Sequence, residues 1–184
     1  MYYKKLEGEK VYFSPMTPDD YQIFTKWIND ESTSRGLGNY NSMITEMSEK
    51  EYLEDVCSKT NKHNFAVIDK ETDKIIGTYS LEVRDEISRR IFVGGFIGEK
   101  ENRGKGYGTE CLKLITKYAF DILNAKSVFS GIYSFNETSL HVAKKVGYTV
   151  AGRYRSAYYY NGEYHDEICV EMLREDYKKL EKGE

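Results

Sequence analysis

Proline is scarce in this chain. Pro15 and Pro18 are the only two in 184 residues, both near the start, and no Pro/Ser-rich stretch divides the sequence. With no linker at this length, one domain spanning residues 1–184 is expected. Cysteine is scarce too. Cys57, Cys111 and Cys169 are odd in number, far apart, and free of CxxC or Cys/His ligand spacing. That argues against a disulfide framework or a structural zinc and fits a reducing compartment. The three histidines also lack metal-ligand spacing, so no metal is expected. No run approaches the roughly 20 apolar residues that span a bilayer. The N-terminal MYYKKLEGEK has no apolar run of signal-peptide length. A cytoplasmic protein without a membrane partner is expected. Positive charge is not in excess: the net charge of -3 argues against nucleic acid as the main partner.

What is present is a globular composition, 40% apolar and 31% charged. VYFSPM (11–16) reads as a first strand. Thr17 then reads as the N-cap of a helix with Pro18 at its first position, and Tyr21, Phe24, Trp27 and Ile28 recur at helical spacing. The polar segment 31–46, with Gly36 and Gly38, reads as a loop, and Ser48 with Glu51 as the capping box of a second helix. Residues 64–83 hold two strands around DKETDK, and 89–98 hold another. NRGKGYGTE (102–110) follows and feeds a helix from about Gly106 to Leu123, with apolar residues at steps of three and four. KSVFSGIYSFN is a strand, SLHVAKKV a short helix capped by Gly147, and Asn161-Gly162 the turn of a final hairpin. REDYKKLEKGE reads as a charged tail, with a final helical turn. The order of elements gives a mixed α/β domain.

A strand that runs through a glycine-rich loop into a helix makes an anion site. The first helical N–H groups lack intrahelical partners, and glycines let the backbone come close. Two nucleotide fingerprints fail here. Five residues separate Gly98 from Gly104, and Lys105 is followed by Gly106, so the P-loop spacing and its Mg²⁺-binding hydroxyl are missing. Gly104-Lys105-Gly106-Tyr107-Gly108 is G-x-G-x-G, and the partner acid of a dinucleotide fold is absent from 126–136.

The sequence Arg103-Gly104-Lys105-Gly106-Tyr107-Gly108 does match R-x-x-G-x-G. It resembles the coenzyme A pyrophosphate loop of the GNAT superfamily of N-acyltransferases. NETSLHVAKKVGYTVAGRYR (136–155) is similar to that family's next block. YYYNGEYHDEICVEMLREDY is similar to the ending of the ribosomal-protein N-terminal (RimJ/RimL-like) and spermidine acetyltransferases. The resemblance implies a GNAT fold: a central twisted mixed β-sheet flanked by helices, with a splayed strand pair forming the acyl-CoA site. It implies acetyl-CoA as donor and a primary amine as acceptor, on a protein N-terminus, a polyamine or an amino sugar. By the same resemblance the backbone near Phe96 and Ile97 faces the pantetheine. Gly104, Lys105, Gly106, Tyr107, Gly108 and Thr109 hold the pyrophosphate with Arg103 nearby, and Asn136 touches the pantetheine arm. Ser139 matches a serine placed near the thiol, a candidate thiolate donor, and Asn136 and Ser139 also read as ordinary helix-capping residues.

Family positions that often carry catalytic groups hold Phe92, Ala143 and Tyr158 here, with Tyr158 at the place of a glutamate base. The general base stays open among Glu82, Asp85, His141 and His165. On the acceptor side the resemblance points to Trp27, the 31–46 loop with Glu31, Asp30 and Glu46 about it, and Tyr158 to Tyr160. The exposed edge of the final hairpin could pair two copies as a homodimer. A non-catalytic acyl-CoA-binding module and a nucleotide-phosphate enzyme are the competing readings.

Overall fold

The computed structural model describes residues 1–59 and 63–183. Its strands are β1 (Leu6–Glu7), β2 (Val11–Pro15), β3 (His63–Asp69), β4 (Ile75–Asp85), β5 (Arg90–Ile97), β6 (Ser127–Tyr133), β7 (Thr149–Tyr160) and β8 (Glu163–Leu173). They form one mixed sheet in the order β1-β2-β3-β4-β5-β6-β8-β7. The helices are α1 (Tyr21–Asn29), α2 (Glu31–Leu37), α3 (Glu46–Ser58), α4 (Tyr107–Asp121), α5 (Glu137–Val146) and α6 (Arg174–Lys182). The parallel β5–β6 register runs from Arg90↔Ser127 to Phe92↔Phe129. Phe96 and Ile97 lie beyond that paired stretch, as a splayed pair requires. Among the described residues no helix is long and apolar enough to cross a membrane.

The chain forms two compact units, residues 1–80 with 95–111, and residues 81–94 with 112–184. In the first, β2 and β3 run antiparallel from Val11↔Asp69 to Pro15↔Phe65. Tyr12, Phe24, Trp27, Leu53, Ala66, Ile68 and Ile75 share a core, with Phe96 against it. Phe13 stacks between Phe65 and Tyr79, at centroid distances of 5.5 and 6.1 Å. Helix entry follows side-chain capping. Thr17 Oγ1 accepts from Asp19 N–H ahead of a short 3-10 turn at Pro18–Asp20, which leads into α1.

Two expectations are corrected here. The segment 31–46 is not all loop: α2 occupies its first half, started by Asp30, whose carboxylate accepts from Ser32 N–H, and ended by left-handed Gly38 at φ 79°. It was illegible because a short helix with the sequence ESTSRGL has no apolar stripe. The next helix is capped by Thr45, not Ser48. Thr45 Oγ1 accepts from Ser48 N–H while Ser48 Oγ accepts from Thr45 N–H, so the serine is the third member of the box.

The buried face of α3 carries an anomaly. Glu49, Leu53 and Val56 face inward at helical spacing, and Glu49 is only 4% exposed, its Oε1 buried without a hydrogen-bond partner among the described residues. Burial raises its pKa. A carboxyl whose folded pKa lies above its unfolded value contributes stability below the unfolded value and loses it as pH rises through the folded one. Glu49→Gln should therefore raise Tm at about pH 7.5 by about 3–6 °C, for about 1–2 kcal/mol of relieved desolvation. Near pH 4 the two proteins should melt together. Equal melting temperatures across the whole range would show that the carboxyl is solvated.

In the second unit β8 lies between β6 and β7. It pairs antiparallel with β6 from Ser127↔Leu173 to Tyr133↔Glu167. Ile91, Val93, Ile115, Val128, Ala143, Val146, Val170 and Met172 are buried there. Buried Tyr148 and Thr116 join hydroxyls at 2.7 Å. The charged tail is a helix, α6, because Tyr177 stacks on Phe120 at 4.6 Å and Arg174 donates to the carbonyls of Phe120 and Ala125. Asn161 and Gly162, at φ 52° and 86°, form the mirror-image turn that Asn-Gly favours.

Candidate active site

In the first unit β5 ends at Ile97, and Gly98 N–H still donates to Ile76 O at 2.9 Å. A 3-10 turn, Lys100–Asn102, then leads to the glycine loop. Arg103 N–H donates to Lys100 O, and the next backbone bond among the described residues is from Glu110 N–H to Gly106 O. The N–H groups of Gly104 through Thr109 are thus left without backbone partners. Gly104 and Gly106 sit at φ 75° and 90°, a region that disfavours any side chain. A Cβ on Gly104 would meet nothing within 4 Å, so the space in front of the loop is open. The N-terminus of α4 adds the positive end of its dipole.

Long-range contacts hold this loop, and none could be read from local sequence. Tyr107 hydroxyl donates to Asp69 Oδ2, while Asp69 Oδ1 accepts from the N–H groups of Glu71 and Thr72. The Asp69 bond, with burial, pushes the Tyr107 phenol up to about 12, so it stays a donor. Burial opposes ionisation of Asp69, but the hydrogen bonds from Tyr107 and Thr72 outweigh it and its pKa is lowered. Tyr79 hydroxyl donates to Gly108 O at 3.2 Å. Glu110 Oε1 accepts from Lys10 N–H at 2.8 Å, and Lys10 Nζ donates to Lys105 O at 2.9 Å. Lys10 is a second ammonium at the loop beside Lys105, and the sequence offered no signal for it.

Arg103 is turned inward, with Nε donating to Ile97 O at 3.2 Å. Trp27, 2% exposed, is also turned inward. Its indole lies edge-on to Phe24 and Phe96, at 5.4 and 6.1 Å, and closes over Gly98. Glu31 is exposed as the first residue of α2.

The second unit carries the other sequence-derived candidates. Asn136 caps α5, its Oδ1 accepting from Ser139 N–H at 3.2 Å. Ser139 is half-buried. Tyr158 stacks on Tyr133 at 4.3 Å within an aromatic group that includes Phe135, Tyr160 and His165. Phe92 packs edge-on to Phe129, with the Arg84 guanidinium 5.3 Å from its ring, and Ala143 is buried. Among the open base candidates, Glu82 pairs with Arg84 at 2.8 Å and Asp85 accepts from Ser88 N–H, so both have structural partners. His141 is exposed on α5 and His165 is packed on Phe135 at 5.0 Å. Asp166 binds Ser156 N–H at 2.8 Å as well as Arg153, and these bonds lower its pKa. Among the described residues no group of three or more His, Cys, Asp or Glu could hold a metal ion.

A mixed sheet with a short parallel β5–β6 register, and a strand running through a glycine loop into α4, is the architecture that the GNAT resemblance implies. The chain belongs to the acetyltransferase (GNAT) domain family, which matches residues 10–149. It is an acyltransferase by that family, and its relatives are named N-acetyltransferases. It is 29% identical over 173 residues to the SPbeta prophage-derived uncharacterized N-acetyltransferase YokL of Bacillus subtilis, covering 93% of this chain and 94% of that one. Over 77 residues it is 30% identical to spermidine N(1)-acetyltransferase of Escherichia coli, 42% of this chain and 41% of that protein. The fold matches spermidine N-acetyltransferase from Vibrio cholerae, solved with CoA and spermine, at a TM-score of 0.84 and 18% identity, covering 93% of this chain and 99% of that one.

Proposed function

We propose that the chain moves an acetyl group from acetyl-CoA to a primary amine by direct attack, as a single catalytic domain in the cytoplasm. The observation that carries this reading is the run of N–H groups from Gly104 to Thr109 that have no backbone partner among the described residues, opened by two left-handed glycines. These residues fit a pyrophosphate: the donors are backbone, the space before Gly104 is open, and Lys105 and Lys10 supply charge. Phe96 and Ile97 would offer backbone to the pantetheine arm. In the second unit Asn136 remains our candidate for a pantetheine contact, through the amide nitrogen that its cap leaves free.

Acetyl-CoA supplies a thioester whose carbonyl accepts the amine and whose thiolate leaves. The protein must then position the amine, take or release its proton, and protonate the thiolate. Ser139 Oγ is our candidate for the last task, since it has no bond to another described residue and sits in the first turn of α5. In the second unit Tyr158, with the aromatic group around it, is our candidate acceptor residue; in the first, exposed Glu31 on α2 is a candidate to attract a cationic amine. The spermidine acetyltransferases among the relatives make a polyamine the first acceptor to try.

The test is thiol release from acetyl-CoA across peptide N-termini, polyamines and amino sugars. Turnover with at least one class is expected. Acetyl-CoA binding without turnover on any of them would turn the reading toward a non-catalytic module. Heat protection by ATP and none by CoA would overturn the donor. Ser139→Ala should lower kcat by about 10-fold or more while leaving the acetyl-CoA KM unchanged, the size of a lost proton donor. An unchanged kcat would remove Ser139 from the chemistry.

A further inference from the structure

Arg103 opens the R-x-x-G-x-G sequence, where a cation is expected to face the donor's phosphates. Its guanidinium is committed elsewhere. Nε donates to Ile97 O at 3.2 Å, and one terminal nitrogen donates to Gly98 O at 2.9 Å and to Thr33 Oγ1 at 2.8 Å. The other terminal nitrogen donates to Ser32 Oγ at 2.9 Å. The rigid fork therefore joins the carbonyls of Ile97, at the end of β5, and of Gly98 just beyond it to two hydroxyls in the first turn of α2. Thr33 is buried at 4% exposure, so its contact with Arg103 is shielded from competing water. Asp30 extends the join. It caps α2 through Ser32 and pairs with Lys100 Nζ at 3.0 Å, one turn before the glycine loop.

We propose that Arg103 is a positioning residue that latches α2 to the strand end and to the glycine loop, and that it is not a ligand of the donor phosphates. The shape of the loop then depends on α2, the helix that carries Glu31. Donor affinity is set partly from the acceptor side of the first unit. This rests on the reading of Gly104–Thr109 as the donor site.

Arg103→Lys, Arg103→Met and the double variant Ser32→Ala/Thr33→Val separate the two roles. A lysine can replace a point charge at a phosphate but cannot span two carbonyls and two hydroxyls. In the latch, Arg103→Lys and Arg103→Met lose acetyl-CoA affinity equally, by about tenfold, and the double variant by about threefold or more, as lost charge-assisted bonds predict. Amide hydrogen exchange in residues 31–37 speeds up in all three without any ligand. Wild-type affinity in Arg103→Lys with a loss in Arg103→Met would overturn the proposal. So would wild-type affinity in Arg103→Met, or unchanged exchange in α2. Should Arg103→Met fail to fold, the double variant, which touches neither loop nor strand, still decides. If the wild-type protein itself gave no heat with acetyl-CoA, the donor-site reading would fall, while the exchange comparison would still judge the latch.

Discussion

Gly106→Val should lose acetyl-CoA binding by about 100-fold or more, equivalent to about 2.7 kcal/mol. Gly106 sits at φ 90°, and an L-residue there costs about 1–2 kcal/mol, more when β-branched. Valine would relax toward negative φ and so turn the peptide groups on either side of residue 106. Space is not the obstacle, since the nearest atom to a Cβ would be Lys10 Nζ at 3.6 Å. The loss should therefore appear in binding calorimetry, with Tm lowered by no more than the about 3–6 °C that this strain allows. An affinity within about threefold of wild type would place the cradle elsewhere, since a contact worth less than about 1 kcal/mol is not the principal one.

Gly98→Ala should instead destabilise the fold, by about 2–4 kcal/mol or a drop in Tm of about 5–12 °C. Its backbone is not left-handed; the cause is steric. A Cβ would stand 2.2 Å from Trp27 Cδ2 and Cε2, in a ring wedged between Phe24 and Phe96. Neither the ring nor the strand end can yield without opening the core that holds Leu53 and Ile68. Adding Trp27→Leu should recover part of the loss, giving a coupling of the kind contacting residues show. A Gly98→Ala protein that melts like wild type would mean the indole does not close on that glycine.

These two glycines divide what could be read in advance from what could not. The glycine loop, the Thr17–Pro18 entry, the Gly147 cap at φ 108° and the Asn161-Gly162 turn were legible because each is a local backbone demand met by a few adjacent residues. α2 was not, since its start and stop are capped but its faces carry no apolar period. Thr45 was missed for Ser48 because both are good caps, and only tertiary position chooses between them. Nor could spacing show that Trp27 turns inward, that Lys10 reaches Lys105, or that Arg103 reaches Ser32 across 71 positions. An aromatic on an amphipathic helix and a cation in a glycine loop look alike whether they meet a ligand or the protein itself.

β7 is the last strand of the sheet, and it is kinked. Its pairing with β8 passes from Tyr154↔Glu167 to Tyr158↔His165, so β7 carries three residues where β8 carries one. Ser156 is left-handed in that insertion, and Asp166 pins it through Ser156 N–H and Arg153. An interrupted edge offers an incoming strand only short, misaligned rows of donors and acceptors. The kink thus bears on colloidal behaviour at high concentration. Straightening it would lengthen the template that the edge offers for sheet-to-sheet growth.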